Sequence, residues 1–195
     1  NPQGCAVASF KVPSAEELDQ DFLWRYHARA PGRGLIGVFN RSHYEDVLIV
    51  RVHDLVPPSV WERRYDEINT FERELTDTGT TIIKVAMFVS LDEQKKRLAE
   101  RLDRPDKYWK FNPGDIDERE HWADYQEAYQ AVIDKCSTDV APWYVVPADR
   151  KWYARLAVQE LLVEALERGG GAGDLLAQHL PVVAGGAAVA ELWCR

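Results

Sequence analysis

The chain has only three cysteines in 195 residues: Cys5, Cys136 and Cys194. They are too few and too scattered for a disulfide framework, and no two have Cys-x-x-Cys spacing, so neither disulfides nor a structural zinc are expected. That favours a reducing, cytoplasmic setting. No basic-then-apolar stretch opens the chain, and no uninterrupted apolar run is long enough to span a bilayer. Positive charge is also in deficit. The formal net charge is −8, which argues against general nucleic-acid or membrane binding. A locally basic pocket for a polyanion stays compatible with that balance, because charge acts at short range in salt. His27, His43, His53 and His121 have no metal-like spacing, no Ser-His-Asp or Cys-His arrangement stands out, and there is no internal repeat.

A hydrophobic fraction of 46% suffices for a full core in a single domain. Ser14 with Glu17, Ser59 with Glu62, and Ser90 with Glu93 each fit a reciprocal capping box and announce three helices. Behind Ser59, Trp61, Tyr65, Ile68, Phe71 and Leu75 recur at helical steps, and Gly79 is placed to end the helix. A fourth helix is read from Trp122, Tyr125, Tyr129, Val132 and Cys136. A fifth starts near Asp149 and runs through Trp152, Leu156, Val163 and Leu166. Between them lie the apolar runs Ala6–Phe10, Leu35–Phe39, Ile82–Val89 and Trp143–Val146. Continuous runs suit strands covered on both faces, and their alternation with helices predicts a parallel α/β domain over residues 1–167. Residues 168–195 form a second region of unassigned structure. It opens with a glycine-rich stretch, Arg168 to Gly173, that reads as a linker. The rest is compatible with a disordered tail, an edge helix or an out-of-frame translation product.

Two segments offer chemistry. The run Leu35–Phe39 ends abruptly in Asn40-Arg41-Ser42-His43-Tyr44-Glu45-Asp46. Ligands of open α/β sheets bind beyond the carboxyl ends of strands. Arg41 could hold phosphate oxygens with its fork, Asn40 could orient metal-bound water or a phosphate, and Glu45 and Asp46 offer hard oxygens to a magnesium ion. The plainer reading, favoured by spacing alone, is a strand end followed by a helix cap at Ser42. The second segment gathers Arg97, Arg101, Arg104, Lys107 and Lys110, with Arg97 and Arg101 on one helix face, Pro105 breaking that helix, and Trp109 and Phe111 in the loop. Such a pattern suits a mobile basic lid over phosphates. On composition alone, a solvated helix balanced by Glu93, Glu100 and Asp103 is the better account.

Taken together, the motifs resemble the polyphosphate kinase 2 family of P-loop enzymes. Phe39-Asn40-Arg41-Ser42-His43-Tyr44-Glu45 is similar to its Walker B segment. Arg97 through Trp122, including Pro105-Asp-Lys-Tyr-Trp-Lys-Phe111 and Arg119, resembles its lid module. Residues 1–25 and 141–153 extend the match in order, with Lys11, Arg25 and Lys151 as further anion candidates. The resemblance implies a P-loop-kinase-like parallel sheet flanked by helices, with a basic lid module. It implies magnesium-dependent phosphoryl transfer between polyphosphate and a nucleoside mono- or diphosphate, in a homo-oligomer. Arg41, Asn40 and Glu45 would be catalytic, with Glu45 and Asn40 near the metal through water. Arg97, Arg101, Lys107, Lys110 and Arg119 would bind phosphates. Asn in place of Asp before the arginine is similar to a subgroup acting on both mono- and diphosphates.

No glycine cluster is followed by Lys-Ser or Lys-Thr, so the phosphate-gripping loop and the central strand before it are expected to be missing. The chain is then a fragment that does not transfer phosphate alone and carries unpaired strand edges. The rival reading is a non-catalytic module that holds polyphosphate or nucleotide. A different P-loop kinase, such as one acting on thymidylate, is disfavoured by the motif around Asn40 and by Lys107–Phe111.

Overall fold

The computed structural model describes residues 2–169 and 182–188. In chain order, β1 (Cys5–Ser9) is followed by the short helices α1 (Ala15–Leu18) and α2 (Trp24–His27), β2 (Ile36–Asn40) and α3 (Ile49–Val52). Next come the long helix α4 (Pro58–Asp77), β3 (Thr81–Phe88), α5 (Leu91–Asp103), α6 (Gly114–Glu118) and α7 (Trp122–Cys136). Among the described residues, β4 (Trp143–Pro147), α8 (Lys151–Gly169) and β5 (Val182–Ala188) come last. Short 3-10 segments cover His43–Asp46, Pro105–Lys110 and Arg119–His121. The four apolar runs become β1 to β4, each within a residue of its expected bounds.

All pairings are parallel, in the order β1-β2-β5-β3-β4. The central position, expected to be vacant, is occupied: β5 lies between β2 and β3, with Gly185 in register with Phe39 on one side and Lys84 on the other. Neither β2 nor β3 is therefore left with an open edge, and the unpaired backbone foreseen there finds its partners. The expected linker at Arg168–Gly173 lies mostly outside the described residues.

Helices cover both faces. One core gathers Phe39, Tyr44, Tyr65, Ile68, Phe71 and Tyr129 under α4 and α7; the other packs Ile83, Val85, Val146 and Ala154 beneath α8. β3 is buried through its middle, as a two-sided strand should be. β1 departs from that expectation: it is an edge strand and most of its residues are exposed.

The helix starts differ in instructive ways. At α1 the box closes, with Glu17 N–H donating to Ser14 Oγ (3.2 Å) and Ser14 N–H to Glu17 Oε2 (2.8 Å). At α5 only half forms. Ser90 Oγ accepts from Glu93 N–H, but Ser90 N–H donates to Asp149 Oδ1 (2.7 Å) and the Glu93 carboxylate holds Arg97. At α4 the expected Ser59 cap is absent. Pro58 takes the first helical position, where its missing N–H loses nothing and its fixed φ suits the helix. Gly79 follows the end of α4 at φ 93°, a conformation that favours glycine. Within β2, a Cβ on Gly37 would lie 2.8 Å from the Pro31 ring, so only glycine lets that loop pack on the strand.

Candidate active site

The carboxyl end of β2 builds the site. Asn40 is its last residue and is exposed. Arg41 then adopts φ 61°, a left-handed conformation that costs a non-glycine residue about 1 kcal/mol or more. That turn throws the chain into the 3-10 segment His43–Asp46, capped by Ser42 Oγ. Arg41 and Glu45 consequently face one cavity of about 190 Å³, closed by Leu48, Ile49, Asn112, Gly114, Asp115, Glu118, Tyr125 and Tyr129. Burial pushes the Glu45 carboxyl up to about 7; the Arg41 guanidinium pulls the other way and the Asp46 carboxylate adds to the rise. A carboxyl that changes charge near neutrality beside an arginine is the type of group found where chemistry occurs. Burial likewise raises the Tyr125 and Tyr129 hydroxyls above their ordinary values, so both walls stay neutral. Asp46, the other carboxylate considered as a metal ligand, points elsewhere: its side chain accepts from Tyr26 OH (3.1 Å) and lies 3.5 Å from Arg64.

Between Arg41 and Glu45, His43 and Tyr44 are bolted to the interior. His43 Nε2 lies 3.1 Å from Glu72 Oε1, and Tyr44 OH donates to the same oxygen (2.8 Å). Lys84 Nζ donates to Glu72 Oε2 (2.6 Å), to Tyr44 OH (2.9 Å) and to the Cys136 carbonyl (2.6 Å). Burial would raise the Glu72 carboxyl, but the bonds from His43 and Lys84 outweigh it and hold it below its usual range. Burial also lowers the Lys84 ammonium, with Glu72 opposing. This network ties the 3-10 segment His43–Asp46 to α4, β3 and α7 through the two residues that precede Glu45. Sequence reasoning missed it. The signals were a lysine inside an otherwise apolar strand and a glutamate next to Phe71 on the inward face of α4.

The basic segment folds as expected around Pro105, which ends α5 and starts a 3-10 turn that leaves Tyr108, Trp109 and Phe111 exposed. Its cations are engaged within the chain. Arg97 donates to Glu93 Oε1 (2.9 Å) and to the carbonyls of Ala148 (2.7 Å) and Asp149 (2.9 Å). Arg101 is buried and donates to Asp115 Oδ2 (2.7 Å), which drapes α6 against α5. Lys107 reaches Glu100 (2.6 Å), Arg104 reaches Asp106, and Arg119 reaches Gln94 and the Leu91 carbonyl. Lys110 lies over the Trp109 ring at 5.0 Å. None of these bases lines the Arg41–Glu45 cavity; Arg101 approaches it only through Asp115. Of the other anion candidates, Arg25 is buried over the Phe10 ring (5.1 Å) and donates to the Lys11 carbonyl (2.9 Å), while the Lys11 and Lys151 residues are exposed.

A magnesium ion that arrives with phosphates needs only one or two protein oxygens. Among the described residues no group of three or more His, Cys, Asp or Glu could cage a metal unaided. Of the three carboxylates that line the cavity, Asp115 is held by Arg101 and Glu118 by His53, so Glu45 beside Arg41 fits the first type of site. Among the described residues no helix is long and apolar enough to cross a membrane.

The family model described as polyphosphate kinase 2 matches residues 1–170. An AMP/ADP-polyphosphate phosphotransferase of Meiothermus ruber is 55% identical over 167 residues, which cover 86% of this chain and 62% of the relative. An ADP-polyphosphate phosphotransferase of Rhodopseudomonas palustris is 49% identical over 179 residues, with the same shares. The crystal structure of polyphosphate kinase 2 from Arthrobacter aurescens TC1 superposes with a TM-score of 0.85 at 54% identity, covering 86% of this chain and 59% of that one. The chain thus spans about 62% of the length of the two curated relatives it matches.

Proposed function

The chain belongs to the polyphosphate kinase 2 family, and from that membership and the geometry at β2 we propose that it takes part in phosphoryl transfer between inorganic polyphosphate and a nucleoside mono- or diphosphate. The observation that carries this reading is the pairing of Arg41 and Glu45 in one small cavity at the carboxyl end of a parallel strand. The relatives named for transfer to AMP and ADP support the choice of substrates.

The reaction asks for positioning. The bond between the terminal phosphorus of polyphosphate and its bridging oxygen breaks, a bond to a phosphate oxygen of the nucleotide forms, and a shortened polyphosphate leaves. The attacking oxygen is already ionised, so no general base is required, and charge neutralisation and alignment are what the protein contributes. Arg41 grips the transferring oxygens with a fork that lysine lacks. Glu45, with Asn40 through water, would hold magnesium, which when bound neutralises the developing charge on the phosphate oxygens. Arg97, Arg101, Lys107, Lys110 and Arg119 take phosphates by exchanging their internal acceptors for those of the substrate as the basic segment closes. Exchange is easiest for Lys110, which alone of the five is exposed, and hardest for buried Arg101. A glycine-rich loop that cradles the phosphates would have to come from outside these residues.

The test follows product formation from polyphosphate, magnesium and ADP or AMP. It uses the chain alone and a version extended upstream by a strand and glycine-rich loop, each as wild type and as Arg41→Lys. Transfer by the extended form that falls at least tenfold in Arg41→Lys, with an unchanged melting temperature, is expected. Polyphosphate binding without transfer in the extended form would favour the binding-module reading.

A further inference from the structure

The apolar residues that mark α8 in the sequence are not the ones it buries. Its inward face is Ala154, Val158, Leu161 and Ala165, packed on β3 and β4. Trp152, Leu156, Val163 and Leu166 instead face solvent, at 61%, 46%, 42% and 49% exposure, with Gln159 exposed among them. A helix that is apolar on both sides is normally covered on both sides. The exposed set has a further regularity. The steps from 152 to 156, 159, 163 and 166 are four, three, four and three, the spacing of a two-heptad coiled-coil seam with Leu156 and Val163 at a and Trp152, Gln159 and Leu166 at d.

We infer that α8 is the seam of a parallel, in-register contact between two copies of this chain. The flanking charges select both the partner and the direction. With that heptad assignment Arg155 is at g and Glu160 at the following e, and a parallel pair brings Arg155 beside Glu160 of the partner subunit, twice by symmetry. An antiparallel pair centred on Gln159 would instead set Glu160 against Glu160 of the partner subunit, a like-charge contact. Gln159 at a central d position can pair with its own copy only in register, which opposes slippage at some loss of stability. Val163 at a with Leu166 at d is the combination that favours two strands. The homo-oligomer expected from the resemblance thereby gains a surface, and the proposal does not depend on the phosphoryl-transfer reading.

The test is mass by light scattering on the full chain over a concentration series. A dimer is expected, with Leu156→Asp and Val163→Asp raising its dissociation constant at least a hundredfold while the circular dichroism melt of the monomer is retained. Arg155→Glu should weaken the dimer about tenfold, and the swap Arg155→Glu with Glu160→Arg should restore it to within threefold. In a Cys5→Ser, Cys194→Ser background, Leu166→Cys should cross-link to its own copy on mild oxidation. Residue 166 meets 166 only in the parallel arrangement, within disulfide reach; antiparallel packing would set it against residue 152. A monomeric wild type, meaning that other residues of the chain cover the stripe, would overturn the inference. So would a dimer indifferent to Leu156→Asp and Val163→Asp, or one whose charge swap fails to rescue.

Discussion

Replacing Lys84 by Met tests whether the buried network under Arg41 holds the site together. Lys84 and Glu72 are nearly inaccessible, at 2% and 1% exposure, and lie 2.6 Å apart. Removing the lysine leaves the Glu72 charge with only His43 and Tyr44 and strips the Cys136 carbonyl of its donor. Breaking one side of such a pair costs about 3–5 kcal/mol. For a chain of this size each kcal/mol lowers the midpoint by about 2–4 °C, so a fall of about 6–20 °C is expected. The double variant Lys84→Met with Glu72→Leu removes both charges and should be less destabilised than Lys84→Met alone, despite the unmet groups on Tyr44 and Cys136. The acid limb supplies a second reading. Glu72 is held below its ordinary carboxylate value. Its contribution is therefore present above about pH 4.5, the unfolded value, and fades as pH falls through the lower folded one. Urea titrations of wild type, Lys84→Met, Glu72→Leu and the double variant at pH 7 and pH 4 give the coupling directly. Additive single effects, or a loss below about 1 kcal/mol for Lys84→Met, would refute the claim that these charges act as one unit.

Arg41→Gly should relieve the left-handed backbone at φ 61° and leave the melting temperature unchanged or higher, while phosphoryl transfer by the extended form is lost; parallel melting and transfer assays check the split. Glu45 is raised in the fold to about 7 from 4.5, so the folded state binds the extra proton and its stability declines as pH rises between those values. Glu45→Gln removes that decline, and its stability relative to wild type should improve by about 1–3 kcal/mol between pH 5 and pH 8 in denaturant titrations. Lys107→Ala with Lys110→Ala should weaken polyphosphate binding and flatten its salt dependence with little change in melting. Arg101→Ala should lower the melting point, because it strands buried Asp115 without the guanidinium.

Local features were legible without a structure because a few neighbouring residues suffice to produce them. The continuous apolar runs became β1 to β4, Ser14 capped α1 through a contact three residues away, and Pro105 ended α5. The end of β2 is legible as a candidate site because Asn40-Arg41-Ser42 follows an apolar run; Arg41 and Glu45 share a cavity there, and Asn40 is not among the residues that line it. Tertiary structure decided everything that depends on residues far apart in the chain. It chose Glu72 and the Cys136 carbonyl as partners for Lys84, 12 and 52 positions away, and withdrew Asp46 from the site toward Tyr26 and Arg64. It also paired Arg101 with Asp115 and set β5 between β2 and β3. Periodicity announced α8 but could not say which of its two apolar faces would be buried. That depends on which face the β3–β4 surface can accept, and small residues such as Ala154 and Ala165 let the helix lie close to the sheet, leaving the larger Trp152 and Leu156 outside.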